Sequence, residues 1–250
     1  MMDIPDALEP NPTYENFVGK CPRCLEKNIF NRASDLETLE AIDSRVVTCQ
    51  NPQCGKQFNI TADVINPAHE MLVFDCYDLI SQKHYMQCVL SLAQAYEVFF
   101  SLYLRVELLY KPYAADSEGD FDRLDALKKK LYQQVERYTF VPMRNLFLQQ
   151  VLSSSRPRTL DGAESAIDAL SYSVSEPDDS VLGAVTDVQL LELLRALKAS
   201  KINELRNRVV HKEAYRPTLT EVEPALEEAE KVLFPLSRNL DLIDDVDYYA

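Results

Sequence analysis

Two short-spaced cysteine pairs, Cys21-Pro22-Arg23-Cys24 and Cys49-Gln50-Asn51-Pro52-Gln53-Cys54, are separated by twenty-four residues and leave the start of the chain little choice of fold. A tetrahedral zinc ion takes four thiolates, and two tight turns that each present two sulfurs supply them. Pro52 and Gly55 help the second turn to bend. Between and beyond the pairs, Ile29-Phe30, Arg45 to Thr48 and Lys56 to Ile60 read as short strands. The remaining cysteines, Cys76 and Cys88, stand alone in apolar helical sequence and read as small core residues. The expectation is one structural zinc per chain, held by Cys21, Cys24, Cys49 and Cys54.

This segment resembles a zinc ribbon, and Thr48 to Phe58 is similar to the second knuckle of many bacterial and phage ribbons. Residues 1–62 carry nine acidic and six basic side chains. That balance favours a structural role, or docking of a protein partner, over a nucleic-acid surface.

After a junction at 63–71 the character changes to long helices. Five Gly and no Trp in 250 residues, with stretches rich in Leu, Ala, Glu, Lys and Gln, argue for helices with few tight turns. From Leu72 to Tyr110 apolar residues recur at three and four, through Leu79, Met86, Leu90, Ala93, Val98 and Leu102. That pattern predicts one long helix or two, ended by Lys111-Pro112. A second helical region is expected over Phe121–Leu152 with a break near Val141-Pro142. Residues 153–180, rich in Ser, Asp, Pro and Gly, read as a mobile insertion around one short amphipathic piece. A third long helix is expected from Asp187 to about Tyr215. A fourth should start at Thr220-Glu221-Val222-Glu223, a Thr-x-x-Glu pattern suited to a capping box, and run to about Leu240. Residues 241–250 form an acidic tail. The domain plan is thus 1–62, 63–71, 72–240 and 241–250, mainly α with a small β appendage.

A net charge of −14 excludes a generally basic nucleic-acid coat, so any contact with RNA or DNA must be local. No apolar run is long enough for a membrane span, and Met1 to Asp6 lacks the pattern of a signal peptide, so the cytoplasm is the expected compartment. Neither a Gly-rich phosphate loop nor a carboxylate cluster suited to Mg²⁺ appears in the sequence.

Near the end of the third helix runs Arg206-Asn207-Arg208-Val209-Val210-His211. It pairs a permanent guanidinium with the side chain that titrates near neutral pH, the minimal kit for cutting a phosphodiester without a catalytic metal. Arg208, Lys212 and Arg216, with Lys198 and Lys201 one or two turns earlier, make the one dense basic patch of an acidic chain and the expected RNA-binding residues. The plain alternative is a solvated helix end whose cations complement the helix dipole. Cleavage by the RNA's own 2′-hydroxyl needs a base, an acid and positive charge on the phosphorane. Asn207 and His211, four apart, share a helix face, whereas Arg206 lies about 140° around the axis from His211. A second protomer would supply a second His211 and Arg206. His69 and His84 carry less weight.

The sequence Arg206-Asn207-x-x-x-His211, placed late in a helix of an all-helical region, resembles the signature of the HEPN superfamily. The resemblance implies a bundle of four to five helices over roughly residues 70 to 240. It also implies a homodimer with the motif at its interface and metal-independent endoribonuclease activity of the kind found in toxins and antiviral effectors. The chemistry of cleavage assigns His211 as general base or acid, Arg206 as phosphate clamp and Asn207 as the residue that orients either, and the resemblance adds an auxiliary acid, for which Glu97 and Asp78 are the candidates. Toxins of this family neutralised by a nucleotidyltransferase carry Tyr two residues after the His. Here Glu213 holds that position and the nearest Tyr is Tyr215. Other readings are a catalytically silent binding or adaptor protein of this type and a zinc-ribbon DNA-binding regulator.

Overall fold

The structure, a computed structural model, describes residues 16–32, 34–38, 42, 44–61, 68–116, 121–212 and 215–242. The expected junction lies outside the described residues up to residue 67, and the acidic tail from residue 243 onward. The chain divides between residues 68 and 69 into two compact units.

The first unit is two β-hairpins. Strand β1 (Asn16–Lys20) pairs antiparallel with β2 (Lys27–Asn31), and β3 (Ser44–Thr48) with β4 (Gln57–Thr61). Each cysteine pair sits in the turn of one hairpin. The register places Gly19 opposite Asn28 and Val47 opposite Phe58. Phe17, Phe30, Leu36, Ile42, Val47, Phe58 and Ile60 pack with Cys21 and Cys49 into one small core. Gly19 is required by that packing, because a Cβ there would stand 2.8 Å from Ile60 Cγ2 and 3.2 Å from Phe58 Cε2. Gly19→Ala is therefore expected to destabilise this unit by about 1–3 kcal/mol, read as earlier loss of bound metal on heating. Retention equal to the parent would contradict the close approach.

The second unit is helical and built around α2 (Tyr85–Arg105). Helix α2 packs on α5 (Phe140–Leu152), α9 (Ile202–His211) and α10 (Leu219–Asn239). Its buried residues cover one broad face, along which Tyr96, Phe99, Phe100 and Tyr103 follow one another at i, i+3, i+4 and i+7. Tyr96, Phe99, Phe100 and Tyr103 form an aromatic core with Phe140 and Phe147 of α5, with ring centroids 4.8–5.9 Å apart in the Tyr96–Phe140, Phe99–Phe147, Phe100–Phe147 and Tyr103–Phe147 pairs.

Several boundaries differ from expectation. The stretch from residue 72 is two helices, α1 (Ala68–Ser81) and α2, because Lys83 adopts the left-handed conformation at φ 60°. Pro112 does not stop the helix: Val106–Tyr110 forms a π-helical turn, and the chain continues as α3 (Lys111–Ala115). With Lys111 N–H bonded to Val106 five residues back, the turn widens just before Pro112 and relieves the ring's clash with the preceding turn. Helix α4 (Phe121–Val135) ends before Thr139, the residue that opens α5. The third helix breaks into α8 (Val188–Ala199) and α9 at Ser200, which is extended and buried and whose hydroxyl interacts with that of Tyr96. Helix α9 ends at His211, short of Tyr215. The capping box of α10 is real but lies two residues earlier, with Thr218 as cap and Glu221 as its reciprocal partner.

Residues 153–180, expected to be a mobile insertion, are packed. They contribute α6 (Leu160–Asp168), with Leu160, Ala163 and Ile167 buried, and are followed by the short α7 (Asp179–Leu182). Lys130 of α4 bridges Glu164 at 2.9 Å and Asp168 at 2.8 Å, and Arg123 pairs with Asp161.

Buried polarity gives one pH-dependent prediction. His69 in α1 is fully buried, its Nε2 is 2.7 Å from Ser237 Oγ, its ring edge meets Phe99 at 5.2 Å, and Nδ1 has no partner. Burial pushes its pKa down from 6.5 to about 3. The unfolded chain therefore takes up a proton that the folded chain refuses between those two values. Stability is complete above pH 6.5 and falls toward pH 3, by about 1.4 kcal/mol at pH 5.5. In urea titrations between pH 7.5 and 5.5, His69→Phe should remove that slope, and an unaltered slope would refute it.

Candidate functional sites

The four expected ligands do come together. Cys21 and Cys24 follow β1, Cys49 and Cys54 follow β3, and their four sulfurs lie within 4.8 Å of one another. Cys21 Sγ is 3.9 Å from Cys54 Sγ, and Cys24 Sγ is 3.6 Å from Cys49 Sγ. A tetrahedron with zinc–sulfur bonds of 2.3 Å has edges of about 3.8 Å. The cluster can therefore hold a metal ion such as zinc.

Both knuckles are built alike. Cys21 N–H bonds Glu26 O at 3.0 Å and Cys49 N–H bonds Lys56 O at 2.9 Å. The residue after each second cysteine, Leu25 or Gly55, has positive φ, 61° and 53°. Side chains missed by the sequence reading tie the hairpins together. The Gln50 amide accepts from Ile29 N–H at 2.9 Å and donates to Ile29 O at 2.7 Å, while Asn28 Oδ1 accepts from Gln50 N–H at 2.5 Å. Gln50 thus behaves as an extra rung on the edge of β2, fixing the second knuckle against the first. Their amides gave no signal in the sequence beyond lying within or beside a knuckle.

In the helical unit, Arg206, Asn207 and His211 occupy the last turns of α9, with His211 its final, exposed residue. Arg206 is half-buried and donates from Nη1 to Asn207 Oδ1 at 3.1 Å. Asn207 therefore orients the guanidinium. Of the two auxiliary-acid candidates, Glu97 of α2 feels the charge of Arg206. Burial pushes the Glu97 carboxyl up and the charge of Arg206 opposes that rise. His69 is in the core, and His84 lies in the turn between α1 and α2, about 20 Å along α2 from Glu97.

The basic patch is less free than its sequence suggests. Lys198 is drawn to the 176–179 segment, 2.6 Å from Asp179 Oδ1, 2.9 Å from Pro177 O and 3.4 Å from Glu176. These contacts tie it into the fold. Lys201 is exposed and pairs with Glu204 at 3.0 Å. Arg208 is bound to Glu221 at 3.1 Å and stacks on Tyr215 with 4.9 Å to the ring centroid. Lys212 and Arg216 are exposed, Arg216 donating to Tyr215 O at 3.1 Å. Cationic character at the end of α9 thus rests on Arg206, Lys212 and Arg216, with Arg208 in reserve.

Among the described residues no helix is long and apolar enough to cross a membrane. Compared with protein-family models, with curated proteins and with solved structures, the chain matches none, so both sites stand on their geometry alone.

Proposed function

We propose that the protein is a metal-independent endoribonuclease of HEPN type that acts as a homodimer, with a zinc-bearing ribbon as a structural or partner-docking appendage. One observation supports the reading: on α9 the Arg206 guanidinium is hydrogen-bonded to Asn207 and its charge acts on the carboxyl of Glu97 in α2, while the helix ends at the exposed His211. A helix end that merely complemented its dipole would not need a half-buried arginine held by a neighbouring amide.

In this reading Arg206, preset by Asn207 and Glu97, neutralises the phosphorane, and His211 moves the proton of the 2′-hydroxyl or of the leaving 5′-oxygen. One chain carries one such histidine, and a twofold partner supplies the other role. The role of a toxin or antiviral effector belongs to the same proposal. The engagement of Lys198 by Glu176 and Asp179 favours the second reading, a catalytically silent binding module.

The deciding experiment incubates zinc-replete protein with RNA in EDTA while zinc retention is followed in parallel, since chelation can unfold a zinc site. Expected products end in 2′,3′-cyclic phosphate and 5′-hydroxyl, and RNA with a 2′-deoxy nucleotide at the scissile position resists. Intact RNA under all conditions leaves the binding module.

A further inference from the structure

Arg208 is three residues before His211 on α9, so the two project from neighbouring positions of one helix face. It is the cation best placed to meet a phosphate beside that histidine, yet it is already engaged. Its Nη1 is 3.1 Å from Glu221 Oε1, and its guanidinium lies over the Tyr215 ring.

Glu221 is held far more firmly than the arginine it binds. Its carboxylate accepts from Tyr215 Oη at 2.5 Å, from Thr218 N–H at 2.9 Å and from Thr218 Oγ1 at 3.0 Å. It also sits in the first turn of α10, where the helix dipole favours an anion. These contacts hold its pKa down at about 2. The carboxylate therefore stays in place and ionised whether or not Arg208 remains. Arg208, by contrast, is held by one charged hydrogen bond and one ring face at a site where more than a third of its side chain is exposed. Exposed pairs of this kind are weak and exchange readily for a phosphate.

We propose that Glu221 is a guard on the end of α9: a fixed carboxylate that keeps Arg208 folded onto Tyr215 until an RNA phosphate displaces it. The proposal rests on the ribonuclease reading and adds to it an internal competitor for substrate. It explains why an acidic chain keeps a cation beside the motif and yet leaves it neutralised. The pair lies on the wall of a groove of about 470 Å³ between α9 and α10, so the phosphate approaches from open solvent.

The test uses the full chain carrying His211→Ala, so that binding of a fluorescein-labelled single-stranded RNA is read without cleavage. Glu221→Gln removes the charge and keeps one acceptor oxygen for the Thr218 N–H, with its amide NH2 donating to the Tyr215 hydroxyl, which can accept. It should tighten RNA binding by about threefold to tenfold and steepen the salt dependence by about one released counterion. Adding Arg208→Ala should abolish both gains. RNA binding that Glu221→Gln leaves unchanged or weakens overturns the guard but not the ribonuclease reading. A gain that survives Arg208→Ala does the same, since it would come from net charge alone. RNA bound by none of the variants overturns both. Melting temperatures within about 2 °C of the parent confirm that the fold is retained.

Discussion

Cys49→Ser should empty the metal site and melt residues 16–61 while the helices stand. Each chain is expected to carry one zinc ion, and the variant to carry almost none, because three thiolates in two separate turns no longer close a tetrahedron. Binding at such sites is worth about 10 kcal/mol or more, and that free energy is also folding free energy. The hairpins cannot replace it. Their core is a single small cluster in which Cys21 and Cys49 are themselves members, and units of this size seldom fold without a staple. The helical unit has its own core around α2, so the far-ultraviolet helix signal should change little. Elemental analysis, together with proteolysis confined to residues before 68, reads both halves of the expectation. Parent protein free of zinc, or Cys49→Ser with full zinc content, would dismiss the site.

The cysteine cluster was legible because metal chemistry is written locally. Two turns of fixed spacing specify both the ligands and their geometry, and the sulfurs fall 3.6 and 3.9 Å apart as that chemistry requires. The start of α10 was legible for the same reason, although in the wrong register. Thr218 and Thr220 each precede a glutamate by three residues, and only the folded chain shows which pair closes.

What depended on tertiary contact was not legible. Helix α2 is apolar beyond its buried face, so periodicity favoured Leu90 and Val98, neither fully buried, over Tyr96, Phe99 and Tyr103. No Gly or Pro marks the break at Ser200, a buried residue whose hydroxyl accepts from Ile202 N–H at the start of α9. Residues 153–180 look like a linker by composition, yet α6 buries three apolar side chains and answers Lys130 and Arg123 with acids. At the candidate site, the sequence offered the basic residues as a set. The fold divides them, giving Lys198 to Asp179 and Arg208 to Glu221 while leaving Arg206 with Glu97 and Asn207.

His211→Ala should lower RNA cleavage by about a thousandfold or more, since one histidine type serves as acid and base and each role contributes about 10²–10⁴. The side chain is exposed at the end of α9, so thermal stability should move by no more than about 0.5 kcal/mol. Arg206→Ala should lose comparable activity. It also strips the half-buried Glu97 of its neighbouring charge, so the Glu97 carboxyl should rise further than it already has. Subunit mixing separates a composite site from two independent ones. If one site needs His211 from both protomers, parent protein equilibrated with equal His211→Ala retains only the activity of parent homodimers, about a quarter of that of the same total protein all parental. Independent sites would retain about half. Retention of half would remove the composite site and leave a ribonuclease with one histidine per site. Unchanged cleavage by His211→Ala alone would remove the catalytic assignment, and a loss of several kcal/mol in stability would instead mark His211 as a structural group. Under either of those last outcomes the end of α9 becomes a binding surface, and Arg206, preset by Asn207 and Glu97, becomes its anchor for a bound anion.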